Sequence, residues 1–249
     1  MIAPLLVVLL LLGGWQAFTA LEDVDEFLLP SPTDVLTALW DDRGLLWDNF
    51  RVTAGEMGLG LLIAMVAGAL LALALHRWQP LRRGVYPLLV GSQTVPIPIF
   101  APLLAAWLGF DLTPKLVIVA LVCFFPVVVP TLDALTTADA GQRKLMRGLG
   151  ASRWQTLRFV EAPAALPALF TGARLAIAVA AIAAFLAETA GSESGLGHLI
   201  TQSIPQLETA RAFAAVLVLS LFSVTLYGAL ALAERRLAPW AQLPKGPVL

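Results

Sequence analysis

Charged residues are scarce in this chain of 249 residues. Asp, Glu, Lys and Arg together occupy 13% of the positions, while hydrophobic residues occupy 59%. An average soluble domain carries about 25% charged residues, so much of the protein's surface must face a medium other than water. The formal net charge of −1 argues against nucleic acid as a partner, because nucleic-acid-binding proteins present a basic face.

Cysteine, histidine and lysine are also few. The single Cys123 excludes an internal disulfide and a cysteine cluster for a metal, and the separated His76 and His198 do not make a metal site. No nucleophile and base stand out, which speaks against a membrane enzyme. A phosphate-binding loop requires the sequence Gly-Lys-Ser/Thr, and no lysine here follows a glycine. We therefore expect neither an ATP site of that kind nor a cofactor in this chain.

Six apolar runs divide the sequence, and only the fifth contains a charged residue, Arg174. They span residues 3–20, 57–75, 84–110, 116–132, 162–187 and 212–233. About 20 residues of helix cross the ~30 Å hydrocarbon core of a bilayer, and lipid cannot satisfy open backbone groups. The runs therefore predict an all-α polytopic membrane protein with about six transmembrane helices. No basic residue precedes the first run, as one would in a signal peptide, so we expect a retained transmembrane helix at 1–20.

Basic residues are unevenly distributed between the two sides of such a bundle. With the first loop placed outside, eleven lysines and arginines lie on the inner side and four on the outer side. An excess of basic residues marks the cytoplasmic face. The sequence thus predicts an external acidic loop at 21–51, a core with five transmembrane helices at 52–240, and a cytoplasmic tail at 241–249. Both termini are expected in the cytoplasm. A short helix within the loop is expected to begin after Ser31 or Thr33, since either is a suitable N-cap.

The third run contains three prolines, at positions 96, 98 and 102, each of which removes a helical hydrogen bond. Such a break is either a simple kink or the mark of a helix that lines a substrate path. On the second interpretation, the candidate translocation residues are Ser92, Gln93, Thr94 and Pro96.

Three further charged residues are candidates of another kind. Glu188 and Glu193 flank a glycine-rich outer turn and are either solvated or in contact with a gate or an external binding protein. Arg174 lies inside a span, where charge is costly, and we expect its side chain to extend to the inner face.

Residues 139–163 are too polar to span a membrane and too many for a simple turn. The segment predicts a short helix that ends near Leu149, a left-handed turn at Gly150 and a second short helix capped by Ser152. Pro163 and Pro167 would bracket the entry to the fifth span. Leu149, Trp154 and Leu157 would be exposed among basic neighbours, which suits a protein contact or an amphipathic helix resting on lipid headgroups.

The stretch from Gly148 to Pro167 resembles the cytoplasmic signature of inner-membrane permeases of binding-protein-dependent ABC importers. That signature has a Glu-Ala-Ala triplet, three residues, a glycine, and then nine or so residues before an aliphatic residue, one further residue and Leu-Pro. Gly150 matches the glycine, while Val160, Ala162 and Pro163 match the end, with alanine in place of leucine. The opening departs from the pattern, since Lys-Leu-Met occupies positions 144–146.

The resemblance extends over residues 28–240 through short segments such as 92–96 (Ser-Gln-Thr-Val-Pro), 123–126 (Cys-Phe-Phe-Pro) and 195–197 (Gly-Leu-Gly). Together these segments resemble those of the nitrate, sulfonate and taurine branch of the family. Within that branch they are most similar to the segments of permeases for pyrimidine thiamin precursors or riboflavin. The resemblance implies a fold like that of type I ABC importer permeases, in a bacterial inner membrane, with a cytoplasmic coupling helix between spans 4 and 5.

The function that the resemblance implies is that of a permease subunit of an ATP-driven importer for a small polar organic solute or anion. Two copies would form the path, two cytoplasmic ATPases carrying ATP and Mg would bind the short helices, and an external protein would deliver the solute. The residues implied in coupling are Lys144, Leu149, Gly150, Ala151, Ser152, Trp154, Leu157 and Pro163. The alternative is an ion-coupled secondary transporter, which needs carboxylates inside its spans, whereas every Asp and Glu lies outside the six runs.

Overall fold

A computed structural model describes residues 2–22, 24–95 and 97–242, with the side chains of 2–5, 98 and 242 left aside. The described residues form helices and no strand. In chain order the α-helices are α1 (Ile2–Leu21), α2 (Pro32–Asp41), α3 (Arg43–Arg77), α4 (Gln79–Ser92), α5 (Phe100–Leu108), α6 (Leu112–Thr137), α7 (Ala140–Gly148), α8 (Arg153–Thr156), α9 (Ala162–Thr189), α10 (Leu196–Ser203) and α11 (Thr209–Leu237). Short 3₁₀ turns lie at Ile97–Ile99 and Pro239–Gln242, and a π-helical segment at Leu157–Glu161.

Four of the described helical stretches are long and apolar enough to cross a membrane. They are α3, α6, α11 and the continuous stretch Arg153–Thr189, which joins α8, the π segment and α9. The helix α1 adds a shorter apolar stretch, Leu6–Leu21. The prediction of an all-α polytopic membrane protein is confirmed.

The third apolar run is not a single helix, contrary to the expectation of one span at 84–110. α4 ends at Ser92 and α5 begins at Phe100, with a 3₁₀ turn between them. Their 14 and 9 residues are each too few to cross ~30 Å. Proline explains the interruption, because it removes a donor and clashes with the preceding turn. Pro96 lies outside the described residues, while Pro102 lies in the first turn of α5, where proline is tolerated.

The core is built around α6, which packs between α3 and α9. Small residues let the backbones approach closely, as is usual for helices packed in a membrane. A Cβ added to Gly60 of α3 would lie 2.6 Å from Val119 of α6, and one at Gly172 of α9 would overlap the Pro126 carbonyl. The buried face of α9 is largely alanine: Ala173, Ala176, Ala180, Ala183, Ala184 and Ala187.

The predicted external loop at 21–51 is partly helical. Ser31 caps α2 as expected, and Thr33 does not; the Ser31 hydroxyl accepts from Asp34 N, and the Asp34 carboxylate accepts from Ser31 N at 2.8 Å. α3 begins at Arg43, within this predicted loop, whose external position and boundary at 51 stay a prediction. The length of an uncharged run underestimates the length of a helix when the first turns of that helix carry charged residues.

Contacts between helix termini define two ends of the bundle. At the α10 end, the beginnings of α3 and α6 contact the turn between α9 and α10, and the beginning of α11 contacts Asp42 just before α3. At the α7 end, the end of α3 meets the beginning of the stretch that leads into α9. α1 follows the same arrangement, since Thr33 N donates to Gln16 Oε1 and Trp15 packs against Phe213.

Candidate functional site

The α7–α8 segment, residues 139–163, forms the predicted turn between two short helices. Asp139 caps α7 by accepting from Gln142 N at 2.8 Å. Gly150 has φ +74°, a left-handed conformation that suits glycine. Ala151 N donates to Met146 O at 2.9 Å and Gly150 N to Arg147 O at 3.0 Å. This double hydrogen bond is the Schellman motif, and it fixes the direction in which the chain leaves α7.

Ser152 begins the second helix with a reciprocal cap. Its hydroxyl accepts from Gln155 N at 3.2 Å, and Gln155 Oε1 accepts from Ser152 N at 2.7 Å. This capping box satisfies two backbone donors that a helix start otherwise leaves open. The turn is therefore a rigid corner rather than a loose linker.

The second helix does not stop before the fifth span. It continues through the π segment into α9, so the expectation of a separate short helix before a span at 162–187 is corrected. Ala162 N donates to Leu157 O, five residues earlier. Pro163 supplies no N–H, which leaves the Phe159 carbonyl without its usual partner and accounts for the wide turn. The Pro163 carbonyl itself accepts from Trp240 Nε1 at 3.1 Å.

The segment exposes large apolar side chains, with one correction to the expected set. Leu149 is 73% and Trp154 67% exposed, whereas Leu157 is half-buried against the cluster formed by Leu75, Leu132 and their neighbours. The sequence analysis also missed Leu145 of α7, which is 62% exposed. Among the remaining predicted coupling residues, Lys144 is exposed while Ala151 and Pro163 are half-buried.

A buried carboxylate ties this segment to α3. Glu161 Oε2 lies 2.9 Å from His76 Nε2, and Glu161 Oε1 lies 3.7 Å from Arg143 Nη1 of α7. Arg143 also donates to the Thr136 carbonyl at the end of α6 at 3.3 Å. Glu161 thus connects the end of α3, the first helix of the segment and the start of α9.

At the opposite end, the structure places Glu188 inside the bundle rather than in a solvated loop. Its side chain is 1% exposed, and it accepts from Thr53 Oγ1 at 2.6 Å and from Gly197 N of α10. Gly195, at φ +112°, is required here because a Cβ would overlap the Glu188 carboxyl group. Glu193, the other residue of the predicted pair, is exposed, and its contact with a gate or binding protein stays a prediction.

An ion pair that the sequence analysis missed lies beside Glu188. Lys115 Nζ of α6 is 2.9 Å from Glu56 Oε1 of α3 and 2.6 Å from Ser192 Oγ. Glu56 is 0% exposed, and its Oε2 atom has no hydrogen-bond partner among the described residues. Glu56 and Glu188 adjoin the uncharged runs by one position each, which is why both were wrongly placed outside the spans. We call Thr53, Glu56, Lys115, Glu188 and Ser192 the buried polar cluster.

The predicted path residues lie at the exposed end of α4. The Ser92 hydroxyl donates to Leu89 O at 2.7 Å and the Thr94 hydroxyl to Gly91 O at 2.8 Å, while Gln93 is exposed. Pro96 lies outside the described residues. These positions are open to a partner or a solute, and their role in a path stays a prediction.

Arg174, which was expected to extend toward the inner face, forms an ion pair with Glu234 of α11. Its Nη2 atom lies 2.7 Å from Glu234 Oε2 of α11, and its guanidinium lies 5.8 Å from the Tyr227 ring. The pair links α9 to α11 and gives this charge a structural role.

Residues 60–239 match the family of binding-protein-dependent transport system inner membrane components. The chain belongs to this family. It is therefore an integral membrane permease subunit of an ABC importer, as the signature at 148–167 predicted. The family assigns ATP hydrolysis in such systems to a different subunit, and it makes an ATPase and a substrate-binding protein the general partners of the permease. The alternative of an ion-coupled secondary transporter is not supported.

Curated relatives agree with this assignment. A riboflavin transport system permease protein of Chloroflexus aurantiacus is 37% identical over 93% of this chain and 87% of its own length. A formylaminopyrimidine transport permease protein of Halalkalibacterium halodurans is 32% identical over 95% of each chain. A taurine transport system permease protein of Escherichia coli is 28% identical over 92% of this chain and 86% of its own length. The predicted resemblance to the nitrate, sulfonate and taurine branch, and to permeases for pyrimidine thiamin precursors or riboflavin, is confirmed.

A solved structure supports the fold. It is described as the crystal structure of an amino acid ABC transporter with histidines, and it is similar with a TM-score of 0.63 at 18% identity. The likeness covers 81% of this chain and 98% of that chain. The fold like that of type I ABC importer permeases is thereby confirmed.

Proposed function

We propose that the α7–α8 segment is the surface through which this permease receives the motion of its ATPase. The observation that carries the proposal is a rigid connection between the exposed turn and the core of the bundle. A doubly capped turn positions the exposed Leu149 and Trp154, and the helix that starts at the turn continues without a break into α9. A displacement applied at the turn would be transmitted along this helix into the core, where α9 packs against α6.

The composition of the surface supports a protein partner. Apolar anchors surrounded by polar groups are typical of protein interfaces, and α7 and α8 carry Leu145, Leu149 and Trp154 beside basic residues. Every charged residue from 140 to 160 is basic, so an ATPase groove that receives the segment would need acidic residues. Positions 144–146 (Lys-Leu-Met) reverse the charge found in the Glu-Ala-Ala signature, which would select for such a groove.

The proposed orientation places the α7 end in the cytoplasm and the α10 end outside. The support is the excess of basic residues on the proposed inner side, together with contacts that bring those residues to one end of the bundle. Both termini would then be cytoplasmic, in a bacterial inner membrane. ATP and Mg would be bound by the partner ATPase, and the exposed Glu193 would face the external binding protein.

The proposed path lies between two copies of the chain. Among the described residues, the interior of one bundle is filled by side chains from α3, α6 and α9, so a path between two bundles would not require this core to open. The broken pair α4 and α5 has few buried residues, and Ser92, Gln93 and Thr94 are exposed. These helices would line the path at a homodimer interface, where their polar groups would meet the solute.

The proposed solute is a small polar nitrogen heterocycle of the pyrimidine or flavin type. The support is that relatives named for formylaminopyrimidine and riboflavin share 32% and 37% identity with this chain, while the relative named for taurine shares 28%. A sulfonate or another small anion is the second candidate, favoured by the taurine relative.

The experiment for the docking proposal is co-purification of the ATPase with a Leu149→Asp variant. An unpaired charge that must be desolvated costs several kcal/mol, so the ATPase should be lost while the permease remains inserted. Leu28→Asp is the matched control, because Leu28 is 66% exposed at the opposite end. Retention of the ATPase by Leu149→Asp, or its equal loss from Leu28→Asp, would overturn the proposal.

A further inference from the structure

An open pocket lies between the end of α3 and the α7–α8 segment. Its volume is about 760 Å³, within the usual range of about 300–1,000 Å³ for ligand pockets. The end of α3 and its junction with α4 form one wall, and α7, α8 and the π segment form the other.

The pocket carries an excess of positive charge. Four arginines line it: Arg77, Arg143, Arg147 and Arg153. The lining contains one carboxylate, that of Glu161, which is already engaged by His76 and Arg143. Among the described residues, Arg77, Arg147 and Arg153 have no carboxylate within ion-pair distance. Three guanidinium groups are thus available to an anion, and guanidinium is well suited to bind phosphate oxygens in pairs.

Part of the pocket lining is apolar. Leu73 and Ala74, in the last turns of α3, and the half-buried Leu157 form this part, which we call the apolar floor, and all three are less exposed than Arg77, Arg147 and Arg153. Trp78 and Trp154, both largely exposed, stand at the rim. Tryptophan is enriched where a membrane meets water, and Trp78 directly follows the membrane-length helix α3. A ligand that fits both parts has an anionic head and an apolar body.

We propose that this pocket binds the phosphate headgroup of an anionic phospholipid, with the upper part of an acyl chain on the apolar floor. Basic pockets between helices at a membrane face bind such headgroups. A soluble phosphate would use the arginines alone and leave Leu73, Ala74 and Leu157 in water. The lipid would bridge α3 and the α7–α8 segment, and would thereby hold the segment at a fixed height relative to the core.

The lipid site and the proposed ATPase surface share Trp154 but differ in their other apolar residues. Leu145 and Leu149 are exposed and do not line the pocket, so they remain available to a protein while the pocket is filled. The lipid proposal therefore rests on the membrane location of the chain and not on ATPase docking, and either proposal can fail alone.

The test is native mass spectrometry of the purified full-length permease with phosphatidylglycerol, phosphatidylcholine or inorganic phosphate. Each basic residue near an anionic surface contributes about 1 kcal/mol, which corresponds to about a fivefold change in affinity. The double variant Arg147→Gln/Arg153→Gln should bind phosphatidylglycerol about 25-fold more weakly, and Arg77→Gln, on the opposite wall, about fivefold more weakly. The matched control, Arg235→Gln/Arg236→Gln, removes the same charge outside the pocket.

Tight binding of phosphatidylglycerol over phosphatidylcholine, lost in the pocket variants and retained in the control, is the expected result. Equal binding of the two lipids, equal loss in pocket and control variants, or displacement of the lipid by millimolar inorganic phosphate would overturn the proposal. Arg77→Gln alone decides the matter if the double variant does not fold. Co-purification of the ATPase with Leu149→Asp, a change outside the pocket lining, reports separately on the docking proposal.

Discussion

Glu188 of α9 and Thr53 of α3 are joined by a hydrogen bond of 2.6 Å inside the bundle. The same carboxylate accepts from Gly197 N, and the Thr53 hydroxyl accepts from Leu196 N at 2.8 Å. Two long helices are thereby connected to the start of α10. The glycine-rich turn between α9 and α10 is held from within, so its outer surface has a defined shape for a partner.

Removing this carboxylate should destabilise the fold. Glu188→Ala leaves the buried Gly197 N–H without its acceptor and leaves the Thr53 hydroxyl with only the longer bond of 3.3 Å to Asn49 O. An unsatisfied buried group costs about 1–3 kcal/mol, and we expect a loss of about this size, measured as a lower unfolding temperature in detergent. Glu193→Ala, at the neighbouring exposed position, should have almost no effect. Equal unfolding temperatures for the two variants would contradict the role given to Glu188.

The Lys115–Glu56 pair offers a double-mutant test. Lys115→Met leaves Glu56 buried without its cation and should cost about 3–5 kcal/mol, whereas replacing both partners with apolar residues is often nearly neutral. The double variant Lys115→Met/Glu56→Met should therefore recover most of the stability lost in Lys115→Met. The measurement is thermal or denaturant unfolding of Lys115→Met, Glu56→Met and the double variant. Additive losses would show that the two charges do not interact as the structure indicates.

The turn at Gly150 should be required for coupling but not for insertion. Gly150→Val forces a β-branched residue to φ +74°, a conformation that such residues rarely adopt. We expect normal membrane insertion and a large loss of solute-stimulated ATP hydrolysis. Gly148→Val is the control, because Gly148 has no neighbour within 4 Å of an added Cβ and no positive φ. Full stimulation in Gly150→Val would show that the angle of the turn is unimportant.

The proposed path predicts a selective transport defect. Gln93→Leu removes a polar group from the exposed end of α4, so uptake of the solute should fall while assembly and basal ATP hydrolysis stay normal. Gln202→Leu, at an exposed position of α10, should transport normally. If Gln93→Leu transports at the full rate, residues 92–94 have a structural role only.

Local chemistry made the α7–α8 segment predictable. A glycine at the end of a polar helix, followed by a serine, specifies a left-handed turn and an N-cap through interactions within a few residues. The structure confirms the left-handed conformation of Gly150 and the N-cap formed by Ser152. The exposure of Leu149 but not of Leu157 depends on which face of the helix meets α3 and α6, and this information lies far away in the sequence.

The buried polar cluster was not predictable in the same way. Glu56 and Lys115 are 59 positions apart in the sequence, and their pairing depends on the packing of α3 against α6. The predicted spans were limited to uncharged runs, so every carboxylate was expected to lie outside them. The helices in fact continue beyond these runs at both ends, which is how Glu56 and Glu188 come to lie inside the bundle. Glu188 was singled out, but its burial became apparent only with the position of α10 above it.

The central claim is that the α7–α8 segment binds a cytoplasmic ATPase, and site-specific crosslinking tests it most directly. Cys123 is buried and would first be replaced by alanine, after which a single cysteine is placed at Leu149 or, as the control, at Leu28. In membranes that contain the whole transporter, a maleimide–benzophenone photocrosslinker attached to Leu149→Cys should join it to the ATPase subunit, whereas the same reagent on Leu28→Cys should leave that residue unlinked to it. Absence of the Leu149→Cys crosslink in an actively transporting complex, or a crosslink from Leu28→Cys instead, would contradict the account.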